Sequence, residues 1–242
     1  MTQLMRLLVT RPEPDADRTA RALRARGRHA LVAPLLHIEP ILDAPIGEGP
    51  WAAIAFTSAN SVAALVAHPA KARLLRVPVF TVGARTEEVA HAAAFAEVQS
   101  AYGDVAALAS LIVTLLADRT KPVLYLAGED RAGNLEALLG EYGIAVRTIP
   151  IYRAIPATRL PESARHALAN DRIDGVLHFS KRSAEAFLAA IEADRLREQG
   201  LALRHLCLSA EVAAPLIAAG AERVEVARRP DQQSLLELLD QA

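Results

Sequence analysis

Ala53-Ile54-Ala55-Phe56-Thr57-Ser58-Ala59-Asn60-Ser61-Val62 passes from an apolar run through a hydroxyl-bearing turn into a helix-forming stretch. A short apolar run closed by turn residues reads as a strand buried on both faces. Ser58 is the residue type that caps a helix N-terminus. A near copy follows at Val176-Leu177-His178-Phe179-Ser180-Lys181-Arg182-Ser183-Ala184. Outward from these two segments, the same strand-then-helix reading fits Arg6–Thr10, Val79–Val82, Val123–Ala127 and Leu203–Leu208. After the first of them, Asp15 to Arg26 has helical composition, and Gly27 stands where a left-handed cap falls. Shorter strands fit His29–Ala33, Glu97–Gln99, Val146–Ile149 and Arg223–Val226. Ten strands alternating with helices predict an α/β fold of parallel sheets with helices on both faces.

The similarity of the two quoted segments extends to a pattern. Leu7 to Pro34 resembles Val123 to Pro150, and Val79 to Leu116 resembles Leu203 to Leu239. Three kinds of unit therefore occur twice in a shared order, the mark of a duplication. Pro34-Leu35-Leu36-His37-Ile38-Glu39-Pro40 and Pro150-Ile151-Tyr152-Arg153-Ala154-Ile155-Pro156 are extended by composition, because residues before proline avoid the helical region. Read as a side-by-side pair, they let the chain leave one domain and return to it. The expected domains are residues 1–36 with 155–242, and an inserted domain at 41–149, with 37–40 and 150–154 as linkers. Each domain would hold five strands. The alternative is that both segments are ordinary surface loops.

A chain of 242 residues suits one large domain or two small ones. Its 52% hydrophobic and 23% charged residues allow a core, and 4% aromatics leave that core to Val, Leu, Ile and Ala. A net charge of −1 gives no basic field for nucleic acid. One cysteine, Cys207, excludes an intramolecular disulfide framework and a multi-cysteine metal site. The apolar start Met1–Val9 is interrupted by Thr10-Arg11-Pro12 with no small-residue cleavage site after it, unlike an export signal. The longest apolar run, Val105 to Ala117, is shorter than the roughly 20 residues that span a bilayer. The expectation is a cytoplasmic monomer without membrane or nucleic-acid partners.

In open parallel sheets, ligands bind beyond the carboxyl ends of the strands. That rule selects Thr10, Arg11, Thr57, Ser58, Asn60, Gly83, Thr86, Gly128, Arg131, Ser180, Lys181, Arg182, Ser183 and Ser209 as substrate-binding candidates. They are small, hydroxylic or basic, and each group precedes a helix whose first amides and dipole favour anions. For each serine alone, capping is the commoner job. The dinucleotide and phosphate-loop glycine patterns, the zinc-protease His pair and the nucleophile elbow do not occur. The seven histidines show no metal-ligand spacing, and His178 and His205 fall in strands. No metal or cofactor is expected. Tyr152, in the second extended segment, reads equally as a working phenol or as an apolar anchor with a wet tip.

Together these features resemble the uroporphyrinogen-III synthase family. Leu8-Val9-Thr10-Arg11-Pro12, Ala55-Phe56-Thr57-Ser58-Ala59-Asn60-Ser61-Val62, Val82-Gly83-Ala84-Arg85-Thr86 and Ile149-Pro150-Ile151-Tyr152-Arg153 carry the resemblance. It runs over essentially the whole chain. Two departures stand out: Lys181-Arg182-Ser183 where the family often has Ser-Pro-Ser, and Ser209-Ala210-Glu211 where it often has a glycine and paired threonines. The resemblance implies two flavodoxin-like domains joined by a two-stranded linker, with substrate in the cleft. It implies a cofactor-free cyclising dehydration of hydroxymethylbilane, a linear tetrapyrrole with eight carboxylates, in which the last pyrrole is inverted. Tyr152 would be the catalytic residue. Rival readings are a two-domain binding protein for an anionic small molecule and a phosphorylation-type regulatory module. The latter needs an acidic cluster where Thr10-Arg11 stands.

Overall fold

The computed structural model describes residues 5–130 and 133–240. The chain forms two compact units, residues 1–37 with 155–242, and 38–154. The first unit contains β1 (Arg6–Val9), β2 (His29–Val32), β9 (Gly175–His178), β10 (Arg204–Cys207) and β11 (Val224–Val226), in the order β11-β10-β9-β1-β2. The second contains β3 (Leu36–Pro40), β4 (Ala53–Phe56), β5 (Val79–Thr81), β6 (Val98–Ser100), β7 (Val123–Gly128) and β8 (Val146–Pro156), in the order β3-β8-β7-β4-β5-β6. All ten strands read from the sequence are present, and every pairing among them is parallel.

The second sheet has six strands where five were expected. The additional strand is β3, which lies in the first extended segment, while β8 runs on through the second. Ile41 N donates to Ile151 O at 2.8 Å, and Ala157 N donates to Leu35 O at 2.9 Å, the order of an antiparallel pair.

The duplication survives in the topology. Strands β2-β1-β9-β10-β11 and β8-β7-β4-β5-β6 occupy equivalent places in their sheets, and the sequence similarities pair them in that order. The same layered unit is thus built twice from a different chain start.

Each sheet is buried on both faces, so its strands read as continuous apolar runs. Leu8, Val176 and Cys207 face α8 (Lys181–Ala193) and α10 (Ala210–Ala218), while Leu7, Val9 and Leu177 face α1 (Asp15–Ala25) and α11 (Gln232–Glu237). In the second unit, Ile54 and Phe56 face α2 (Ala59–Ala67) and α4 (Ala84–Ala92). Ala53, Ala55 and Tyr125 face α5 (Val105–Leu115) and α6 (Leu135–Gly140).

One polar pair sits inside the first core. His178 Nε2 and His205 Nδ1 share a hydrogen bond of 3.2 Å beneath Phe187. His178 Nδ1 and His205 Nε2 are buried without a hydrogen-bond partner among the described residues. Burial, reinforced by His205, holds the His178 pKa well below its ordinary value. Burial lowers that of His205 to about 4. The backbone carbonyls of Leu201 and Gly200 oppose that fall in part, without reaching hydrogen-bond geometry on Nε2.

Both rings are therefore neutral in the folded protein near neutral pH, and below about pH 6.5 the unfolded chain binds more protons than the folded one. Stability from the pair is full above about pH 6.5 and falls as pH drops below it, the His205 share being lost by about pH 4. Urea midpoints at pH 7.5 and 5.0 should differ more for the wild type than for a His178→Leu/His205→Leu variant. Equal differences would contradict this account.

Candidate active site

In the first unit β10, β9 and β1 are neighbours, so the residues after them lie along one sheet edge. Thr10 is fully buried there, and its hydroxyl donates to Leu177 O at 3.0 Å, tying β1 to β9. Arg11 donates to Asp15 Oδ2 at 2.8 Å and to Gln232 Oε1 at 3.2 Å. Its guanidinium lies 4.1 Å above the Phe179 ring. Charge-assisted bonds and a ring contact together give this loop one geometry. Ser180 caps α8, accepting from Ser183 N at 3.1 Å, with the two hydroxyls 2.8 Å apart. Lys181 and Arg182 open that helix. Ser209 caps α10, accepting from Val212 N at 3.4 Å.

In the second unit β8, β7, β4 and β5 are neighbours. Thr57 Oγ1 and Tyr125 Oη share a hydrogen bond of 2.9 Å, so the buried phenol of β7 orients the hydroxyl that follows β4. Ser58 caps α2, accepting from Asn60 N at 3.1 Å. Gly83, in extended conformation, opens α4 with no side-chain cap, and Thr86 lies buried in its first turn. Gly128 ends β7 and pairs with Tyr152 of β8. Tyr152 is half-buried, its carbonyl accepts from Glu129 N at 2.9 Å, and its hydroxyl makes no hydrogen bond among the described residues. Arg131 lies outside the described residues.

The structure brings the candidates into two edge clusters, Thr10, Arg11, Ser180–Ser183 and Ser209 in one unit, and Thr57, Ser58, Asn60, Gly83, Thr86, Gly128 and Tyr152 in the other. The three serines do cap helices, as the commoner reading held. One side-chain cap satisfies only part of a helix's first turn and leaves the other amides without an intrahelical partner. Four helix N-termini thus present amides and positive dipole ends, an arrangement suited to carboxylates. Tyr125, Phe179, Asp15 and Gln232 escaped the sequence reading. Of these only Tyr125 leaves a signal: a tyrosine within a buried strand needs a partner for its hydroxyl.

Burial pushes the Cys207 thiol up to about 12, so it carries no thiolate at neutral pH. No group of three or more His, Cys, Asp or Glu is placed to hold a metal ion among the described residues. No helix among them is long and apolar enough to cross a membrane.

Comparison with known proteins follows the same lines. The family described as uroporphyrinogen-III synthase HemD matches residues 17–237. The chain is similar in fold to uroporphyrinogen-III synthetase from Helicobacter pylori, with a TM-score of 0.65 at 20% identity, covering 98% of this chain and 99% of that one. It is also similar to a mutant uroporphyrinogen III synthase from the extremely thermophilic bacterium Thermus thermophilus, with a TM-score of 0.54 at 17% identity and 98% of each chain covered. No curated protein matches by sequence.

The caps can be tested without reference to activity. Ser58→Ala should cost about 1 kcal/mol, a fall of about 2–4 °C in Tm for a chain of this size, and Ser58→Gly only a fraction of that. Thermal melts of the three proteins decide it, and coincident melts contradict the capping role.

Proposed function

This chain belongs to the uroporphyrinogen-III synthase family, and we propose that it acts as a cytoplasmic, monomeric hydro-lyase without metal or organic cofactor. It takes hydroxymethylbilane, removes water, closes the macrocycle with ring D inverted and yields uroporphyrinogen III. In this reading each sheet with its helices is a flavodoxin-like domain, 1–36 with 155–242 and 41–149, joined by the segments 37–40 and 150–154.

The observation that carries the proposal is the row of helix N-termini with hydroxyl caps at the carboxyl ends of adjacent parallel strands in each unit. A substrate with eight carboxylates needs many anion donors, and backbone amides supply them without desolvating a matching set of buried cations. We assign substrate contacts to the first turns of α2, α4, α8 and α10, with Ser58, Asn60, Thr86, Ser180, Ser183 and Ser209 beside them. Lys181, Arg182 and Arg131 add positive charge. Thr10, Arg11 and Thr57 give the loops their shape.

The chemical demand on the protein is small. The pyrrole nitrogen lone pair expels the hydroxyl of the hydroxymethyl group, so the carbon–oxygen bond breaks with the substrate's own electrons. Tyr152, whose hydroxyl is unengaged among the described residues, donates a hydrogen bond to the departing oxygen. Holding the chain ends in the inverting geometry supplies the rest of the rate.

Removing the Tyr152 hydroxyl should lower kcat while leaving the ring's packing intact. General acid assistance contributes about 10²–10⁴-fold, and we expect Tyr152→Phe at or below the lower end, because the nitrogen drives most of the departure. Initial rates with freshly made hydroxymethylbilane and melting temperatures on the same samples test this. An unchanged rate with a lowered Tm would make Tyr152 a structural anchor instead.

A further inference from the structure

Strands β7 and β8 pair Leu126 with Ile149 and Ala127 with Pro150, but Gly128 with Tyr152. One extra residue, Ile151, is therefore inserted on the β8 side, a β-bulge. Its consequence is visible in the packing. In a regular strand Ile151 and Tyr152 would point to opposite faces. Here Ile149, Ile151 and Tyr152 all pack on the same side, against the cluster of Leu126, Phe56 and Val62. The bulge turns the Tyr152 ring onto the face where Gly128 stands.

Gly128 then has a specific task. A Cβ at this position would lie 2.8 Å from Tyr152 Cζ and 2.9 Å from its hydroxyl oxygen, and 3.2 Å from Asp130 O. Real Cβ atoms essentially never approach that closely, so the far end of the Tyr152 side chain would have to shift. The backbone itself makes no demand for glycine, since Gly128 is absent from the positive-φ positions. A side chain here would compete with the phenol for its space. The strand cannot slide to make room, because Ile151 O accepts from Ile41 N at 2.8 Å on one side and Tyr152 O from Glu129 N at 2.9 Å on the other.

We infer that Gly128 is a positioning residue: together with the bulge at Ile151, its bare Cα sets where the Tyr152 hydroxyl lies, and it acts on the reaction through Tyr152 rather than as a ligand of the substrate. The inference rests on the role proposed above for Tyr152. Added carbon at residue 128 would displace the ring and its hydroxyl together, and a displacement near 1 Å at a reacting centre costs about 10²-fold.

A double-mutant cycle tests it, with kcat, KM and Tm measured for the wild type, Gly128→Ala, Tyr152→Phe and the double variant. Gly128→Ala should lower kcat by about 10–100-fold with KM little changed. In the Phe background the same substitution should leave kcat nearly unaltered, since there is no hydroxyl left to misplace. The Tm cost should persist in both backgrounds, because the phenylalanine ring still meets the new carbon. A full kcat loss in both backgrounds overturns the inference while leaving the Tyr152 reading intact. A Tyr152→Phe enzyme as fast as the wild type overturns both. If Gly128→Ala alone does not fold, it is combined with Tyr152→Ala, which vacates the space. Recovery of folding supports the contact, and failure in both backgrounds refutes it.

Discussion

Parallel pairing obliges the chain to cross back over the sheet after every strand, and the crossover has to cover the face it passes. Each strand must then be apolar on both sides, which is why Leu7, Leu8 and Val9 are all buried although they point alternately to different helices. The same obligation brings every strand's carboxyl end to one edge and every following helix's N-terminus beside it. Polar amides accumulate at that edge because the covering helices all start there. The candidate site is thus a by-product of the sheet's direction, elaborated by serines and threonines.

That constraint explains what could be read from the sequence. Ala53–Phe56, Gly175–His178 and their counterparts are short, wholly buried and followed by hydroxyl turns, so both their state and their direction were legible. The repeated order Leu7–Pro34 and Val123–Pro150 anticipated the equivalent placement of β1-β2 and β7-β8. That the segment holding β3 lies beside the returning chain was legible from the two proline-bracketed segments, but not that it joins the second sheet as a sixth strand. Leu36–Pro40 carries His37 and Glu39 with proline at its end, and only the chain returning as β8 gives it a partner. The bulge at Ile151 was hidden for the same reason, since register is a property of two strands and not of one. At the site, the capping serines could be found by residue type. The bond from Thr10 to Leu177 O and the ring beneath Arg11 depend on contacts between residues far apart in the chain.

In the proposed mechanism the substrate brings its own driving force and the protein brings geometry. Amides that belong to helices are removed by no substitution other than proline, and they need no counter-charge in the unliganded protein. Buried ionisable groups lie elsewhere and serve the fold. Arg204, for example, donates to Glu225 Oε2 at 2.8 Å and to Leu238 O at 2.7 Å, joining β10 to the end of the chain. In the mechanism proposed above, the phenol of Tyr152 is a side chain whose placement the chemistry would feel, and the bulge at Ile151 and the bare Cα of Gly128 lie against its ring.

In the function proposed above, this protein governs how the linear tetrapyrrole closes. The direct measurement is the isomer composition of the uroporphyrinogen formed when freshly prepared hydroxymethylbilane is incubated with the protein. Type III product in excess, rising with protein concentration, is the result this account predicts. Type I product alone, at the rate of spontaneous closure, would contradict it.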